Sequence, residues 1–110
     1  MDKAAVNLTK ATVYTIIKDM HKALKQYGIN NHIALFGSFL DGNTHEDSDI
    51  DMIVISDLFE GKNLFERIDM TAQAQIDVQR KYIAPMDILL KTPQEYNYSK
   101  EAYFNSEIVV

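Results

Sequence analysis

Two aspartates, Asp49 and Asp51, open an apolar run that ends at Ile55. Residues two apart in a strand point to the same face of a sheet, so this pattern sets both carboxylates side by side at the mouth of a strand. The alternative explanation is a solvated acidic loop in which Ser48 or Asp49 initiates a turn. However, buried charges need a partner or a metal, and these acids continue into an apolar strand. The pattern therefore favours a bound divalent cation.

The surrounding segment has one sign of charge. Seven acidic residues and no lysine or arginine lie between Asp41 and Glu60, and the chain contains no cysteine. Oxygen ligands without thiolates suit a hard ion. The sequence thus predicts magnesium, with manganese as the alternative, over zinc.

A second signal lies upstream, where the short apolar run Ile33–Phe36 ends at Gly37 and Ser38. Glycine permits a tight turn close to a ligand, and the following amide with the serine hydroxyl can bind a phosphate oxygen. A Gly-Ser pair alone is typical of a plain turn. Next to a metal site it predicts a phosphate-binding turn.

A third carboxylate, Asp87, lies inside the apolar run Met86–Leu90. An aspartate in such a run needs a partner. If this strand pairs beside residues 49–55, Asp87 completes a two-metal site and accepts the proton of an attacking hydroxyl. The alternative is a charge on an edge strand or a cap of a neighbouring helix.

The periodicity of apolar residues predicts the order α-β-β-α-β-α, with a short helical turn after Ser38. The first helix spans about residues 9–27 and stops at Gly28. The predicted strands are 33–36, 49–55 and 86–90, the second being central and covered on both faces. The tail 108–110 either adds an edge strand or frays.

Two further helices have clear start signals. Asn63 and Glu66 form an N-cap pair, and Thr92-Pro93-Gln94-Glu95 predicts a last helix over about 93–104. The predicted buried stripe of the middle helix consists of its most apolar positions: Leu64, Phe65, Ile68, Ala72 and Ile76. The basic residues Lys62, Arg67, Arg80 and Lys81 are expected to be solvated, although one of them could reach a triphosphate.

Composition limits the class of protein. With 110 residues the chain forms one domain, 1–110, and its 46% hydrophobic and 25% charged content is that of a globular protein. The net charge of −5 argues against a broad nucleic-acid footprint. The sequence has no signal-like segment and no run near the ~18 apolar residues of a membrane span, so a cytoplasmic protein without membrane contact is expected.

The motifs follow one another in a fixed order: a strand, Gly37-Ser38, ten residues, Asp49-Ile50-Asp51, a second strand and a later Asp87. This combination resembles the nucleotidyltransferase superfamily of DNA polymerase β. The short chain is similar to its minimal, MNT-type branch, whose members pair with HEPN-domain proteins in toxin–antitoxin systems. The resemblance implies an α+β fold with a small mixed or antiparallel sheet flanked by helices.

The resemblance also implies residue roles. Gly37 and Ser38 would grip the β- and γ-phosphates of ATP, and Asp49, Asp51 and Asp87 would bind two Mg²⁺ ions. AMP would pass to a hydroxyl of a partner, for which a HEPN toxin is expected, with pyrophosphate leaving.

Two other functions stay open. Relatives commonly read Gly-Ser-x-Ala-Arg-Gly, whereas this chain has Asp41 at the arginine position. That departure supports a non-catalytic antitoxin that neutralises its partner by contact. A small-molecule transferase similar to the antibiotic-modifying relatives would need a second subunit, so homo- and hetero-oligomers are both compatible with the sequence.

Overall fold

A four-stranded mixed sheet forms the centre of the computed structural model, which describes residues 8–42, 49–99 and 105–110. Its strands are β1 (His32–Phe36), β2 (Ile50–Ile55), β3 (Met86–Lys91) and β4 (Glu107–Ile108), in the order β3-β2-β1-β4. β1 is antiparallel to β2 and β4, whereas β2 and β3 are parallel. The α+β fold with a mixed sheet is confirmed, and the tail adds an edge strand.

In the described residues four helices accompany the sheet: α1 (Lys10–Gln26), α2 (Ser38–Asp41), α3 (Leu64–Lys81) and α4 (Pro93–Tyr98), with a 3₁₀ turn at Asp57–Phe59. The short helix predicted after the Gly-Ser turn is present. α3 supplies the crossover that a parallel strand pair requires. In the described part of the chain no helix is both long enough and apolar enough to span a membrane.

Local capping chemistry sets the helix ends. α1 stops where Gly28 adopts a φ of 79°, and the Ile29 N–H donates to the Leu24 carbonyl. Reciprocal capping boxes start α3 and α4, as their sequences predicted. α4 ends at Tyr98, so the predicted helix over 93–104 is too long, and residues 100–104 lie outside the described residues.

The two faces of the sheet differ in cover. Ile50, Met52 and Val54 of β2 join the main core with α1 and α3. On the opposite face, Ile53 and Ile55 pack with Ala34 and with Tyr96 of α4. This second face, which also carries Asp51 by the alternation of the strand, is called the acidic face below. β2 is therefore a central strand with apolar residues on both sides, as predicted.

The predicted buried stripe of α3 is wrong. The side chains that α3 buries are those of Thr71, Ala74 and Val78, while four of the five predicted stripe residues are exposed: Leu64, Phe65, Ile68 and Ile76. Small residues on the inner face let α3 approach its neighbours closely. The most apolar side of the helix therefore points to solvent.

Arg67 anchors that orientation of α3. Its guanidinium donates to both carboxylate oxygens of Glu95, at 2.5 and 3.2 Å, and to the carbonyl oxygens of Leu90 and Lys62. Only 11% of the Arg67 side chain is exposed. The expectation of a solvated charge is wrong for this residue, which joins α3 to β3 and α4.

Candidate active site

Gly37 makes the turn between β1 and α2. Its φ of 78° and ψ of −155° lie in a region of backbone conformation that is essentially restricted to glycine. The amides of Leu40 and Asp41 both donate to the Gly37 carbonyl at 3.1 Å. The first amides of a helix have no acceptor within the helix, so this turn presents N–H groups beside Ser38.

The carboxylate of Asp51 lies directly against Gly37. A Cβ atom added to Gly37 would stand 2.0 Å from Asp51 Oδ2 and 2.9 Å from Asp51 Cγ. The antiparallel register pairs Phe36 with Asp51, which brings the end of β1 to the start of β2. The sequence predicted the two as parts of one site, and the structure brings them into contact.

Asp87 is the partner of Asp51 in the neighbouring strand. The parallel register pairs Asp51 with Asp87, and adjacent strands lie about 5 Å apart. Each aspartate is two residues before a side chain of the acidic face, Ile53 on β2 and Leu89 on β3, and therefore lies on that same face. The condition on which the role of Asp87 depended, pairing of its strand beside 49–55, is met.

Asp49 directly precedes β2 and is exposed, as is Asp87, whereas Asp51 is half-buried. Burial raises the pKa of the Asp51 carboxyl, and the negative charges of Asp87 and Asp49 raise it further. These three groups therefore repel one another when ionised. A cation placed among them would relieve that repulsion and restore a low pKa for Asp51.

The donor set fits a hard cation by type, because it consists of carboxylate oxygens on one face of the sheet. As placed, the side chains do not form a closed coordination shell. In residues 8–42, 49–99 and 105–110 no three acidic or histidine side chains are grouped closely enough to enclose a metal ion. Glu46 and Asp47, which belong to the predicted acidic loop, lie outside the described residues.

The sequence model of the nucleotidyltransferase domain family matches residues 17–110, which include all of these site residues. The chain belongs to that family. No functionally curated protein matches this nucleotidyltransferase domain significantly.

Solved structures share its fold. A Sulfolobus solfataricus protein assigned as a nucleotidyltransferase is 14% identical, with a TM-score of 0.60 over 96% of this chain and 90% of its own. A second protein with the same assignment is 22% identical, with a TM-score of 0.58 over 84% and 95%. A toxin–antitoxin structure with AMP-PNP is 18% identical, with a TM-score of 0.58 over 86% and 72%.

Among the described residues of the nucleotidyltransferase domain, no lysine or arginine forms an ion pair with these carboxylates. Arg67 is engaged with Glu95, and Lys81 donates to Asp19 at 2.9 Å. Lys91 shares the acidic face of β3 but follows Asp87 by four residues, about 13 Å along the strand. The prediction that a cation from α3 could reach a triphosphate therefore has no support from Arg67 or Lys81.

Proposed function

We propose that this nucleotidyltransferase domain transfers AMP from ATP to a hydroxyl of a partner protein, with divalent metal bound by Asp49, Asp51 and Asp87. The observation that carries the proposal is the strand register, which sets Asp51 beside Asp87 and against the Gly37 turn. The three carboxylates and the Gly37 turn then lie at one end of the sheet. Membership of the family supports the reaction class.

The roles follow from position. The Gly37 turn would take the β- and γ-phosphates through backbone N–H groups and the Ser38 hydroxyl. The three carboxylates would hold two Mg²⁺ ions, or Mn²⁺. Bound metal would supply charge that neutralises the triphosphate and polarises its α-phosphate.

Asp87 is suited to proton transfer because its carboxylate is exposed on the acidic face. It would accept the proton of the acceptor hydroxyl as that oxygen forms a bond to the α-phosphorus. The bond from the α-phosphorus to the bridging oxygen breaks, and pyrophosphate leaves with its electron pair. Half-buried Asp51 would serve as a metal ligand, and the bound cation would lower the pKa that burial raises.

The exposure of Asp49 and Asp87 leaves the site open to the side chain of another protein. A structural neighbour is a toxin–antitoxin structure with AMP-PNP. On this basis the acceptor is a hydroxyl of a toxin, and the resemblance of the motifs to those of the MNT-type branch favours a HEPN-domain toxin. Such a pair would act in the cytoplasm.

The test is transfer of radiolabel from α-labelled ATP to the co-purified partner, with and without magnesium. The expected result is magnesium-dependent labelling that disappears in Asp49→Asn/Asp51→Asn. Asp57→Asn, which removes an exposed acid next to the same strand, is the matched control and retains labelling. Undiminished labelling by the double variant refutes the assigned roles.

Asp41 supports a second function, neutralisation of the partner by contact alone. It is exposed in α2, one residue before Gly42, where an acid would repel phosphates held by the same turn. In that case Asp49→Asn/Asp51→Asn protects cells from the toxin as well as the natural sequence does. Loss of protection while the complex still forms excludes contact alone.

A further inference from the structure

The solvent side of α3 carries a continuous apolar stripe, the α3 stripe, which runs along three turns and consists of Leu64, Phe65, Ile68, Ala72 and Ile76. The side chains of Phe65 and Leu64 are 80% and 61% exposed, and those of Ile68 and Ile76 are 45% and 41% exposed. Ile83 is also half exposed, but it lies beyond the end of α3 at Lys81 and is not part of the stripe. A helix that faced only water on this side would carry polar residues there.

The exposed area is large for a small domain. With roughly 200 Å² for a fully exposed large apolar side chain, the stripe exposes on the order of 450 Å². Monomeric proteins rarely leave a contiguous apolar patch above a few hundred Å². A standard interface buries about 800 Å² per partner, so the stripe with its polar edges can fill the core of one.

The charges around the α3 stripe are distributed along the helix axis. Acidic residues gather at its N-terminal end, with Lys62 among them: Asp57, Glu60, Glu66 and Asp69. At the C-terminal end the exposed Arg80 flanks the stripe, whereas Lys81 is paired with Asp19 and Asp77 accepts a hydrogen bond from Tyr27. An edge that carries an acid, Asp69, at one end and a base, Arg80, at the other is complementary to a copy of itself turned end for end.

We infer that the α3 stripe is the interface of an antiparallel homodimer. With the two-fold axis level with Ala74, Ile76 of each copy lies opposite Ala72 of the other, so a large side chain meets a small one. Antiparallel pairing also opposes the two helix dipoles favourably.

The same register pairs charges. Asp69 and Arg80 are eleven residues apart, close to three full turns, so they flank the same edge of the stripe. In an antiparallel pair that edge meets its own copy, which brings Arg80 of one copy within one residue of the level of Asp69 of the other. This pair would favour the antiparallel register over a parallel one.

The inference is independent of the proposed function. α3 packs against the face of the sheet opposite the acidic face. Dimerisation through the stripe therefore leaves Asp51 and Asp87 accessible to nucleotide and acceptor. The dimer would present two open sites on its outer sides.

The direct test is sedimentation velocity of the full chain over a concentration series up to on the order of 100 μM. The natural sequence is expected to form a dimer. Ile68→Glu is expected to raise the dissociation constant at least about tenfold, because it buries a charge in the interface. Tyr98→Glu, which changes an exposed aromatic residue of α4, is the matched control and leaves the dimer unchanged.

A charge-swap cycle tests the register. Asp69→Arg and Arg80→Asp are each expected to weaken the dimer, and the double variant is expected to recover most of the loss. The inference is overturned if the natural sequence stays monomeric. This holds whether another segment of the chain or another protein then covers the α3 stripe. A dimer that Ile68→Glu leaves intact also overturns it.

Discussion

Replacement of Gly37 by alanine tests the contact on which the candidate site is built. The backbone at φ 78° and ψ −155° costs a non-glycine residue about 1–3 kcal/mol. The new Cβ would stand 2.0 Å from Asp51 Oδ2, so Asp51 must move, at a further cost of about 1–3 kcal/mol. We expect Gly37→Ala to lower the free energy of unfolding by about 2–6 kcal/mol and Tm by about 10–30 °C.

The assay is urea unfolding followed by circular dichroism, with Gly42→Ala as the matched control. Gly42 also has a positive φ, 80°, but a Cβ there would meet nothing within 4 Å. Its substitution is therefore expected to cost only about 1–2 kcal/mol. The two glycines differ in ψ, −155° at Gly37 and 9° at Gly42, so the difference between the variants contains backbone strain as well as the contact with Asp51.

A double-mutant cycle separates backbone strain from that contact. In the Asp51→Ala background the Cβ introduced by Gly37→Ala would no longer face a carboxylate, so this substitution should cost about 1–3 kcal/mol less than it does in the natural background. If Gly37→Ala is no more costly than Gly42→Ala in the natural background, the close approach of Asp51 to the turn is refuted.

Three other variants test the packing and the charges. Phe65→Ala should change the free energy of unfolding of the dilute monomer by no more than about 0.5 kcal/mol, because Phe65 is exposed, whereas Ile16→Ala should lower it by about 2–5 kcal/mol, because Ile16 is buried. If urea unfolding shows equal losses for the two variants, Phe65 is buried in the core and the assigned orientation of α3 is wrong. Asp51→Asn should raise Tm at pH 7 in the presence of a chelator. The pKa of Asp51 is raised in the folded protein, so its negative charge opposes folding at pH values above 3.8, the pKa of the unfolded chain, and has no such effect below that pH. A variant that is no more stable than the natural sequence at pH 7 contradicts this reasoning. Hydrogen bonds from Arg67 hold the pKa of Glu95 at about 2, so its stabilising effect is present above pH 4.5 and is lost as pH falls toward 2. Glu95→Gln should therefore cost about 1–2 kcal/mol at pH 7, discounted for the exposure of Glu95, and the cost should vanish in acid; a pH-independent cost contradicts the ion pair.

Signals that act within a few residues allowed much of the fold to be predicted. The capping pairs Asn63 with Glu66 and Thr92 with Glu95 form as expected, because each bond joins residues three apart. The end of β1 at Gly37 and the start of β2 next to Asp49 were also predictable, since a change between apolar and polar residues marks them. What these signals could not show was the parallel register of Asp51 with Asp87, which depends on the crossover through α3.

The orientation of α3 could not be predicted from its own residues. Hydrophobicity alone favoured Phe65, whereas the structure turns Ala74 and Thr71 inward. The ion pair of Arg67 with Glu95 joins residues 28 apart and becomes visible only once β3 and α4 are in place. An apolar stripe in a sequence indicates that this face of the helix packs against something. It does not indicate whether that is the rest of the same chain or a second protein chain.

The measurement that tests the account most directly is calorimetric titration with a non-hydrolysable ATP analogue, in magnesium and in chelator. We predict binding that requires magnesium in the natural sequence and in Asp57→Asn, and no binding in Asp51→Asn/Asp87→Asn. Equal affinity of the folded double variant, or equal affinity in chelator, would contradict a metal–nucleotide site built on Asp51, Asp87 and the Gly37 turn.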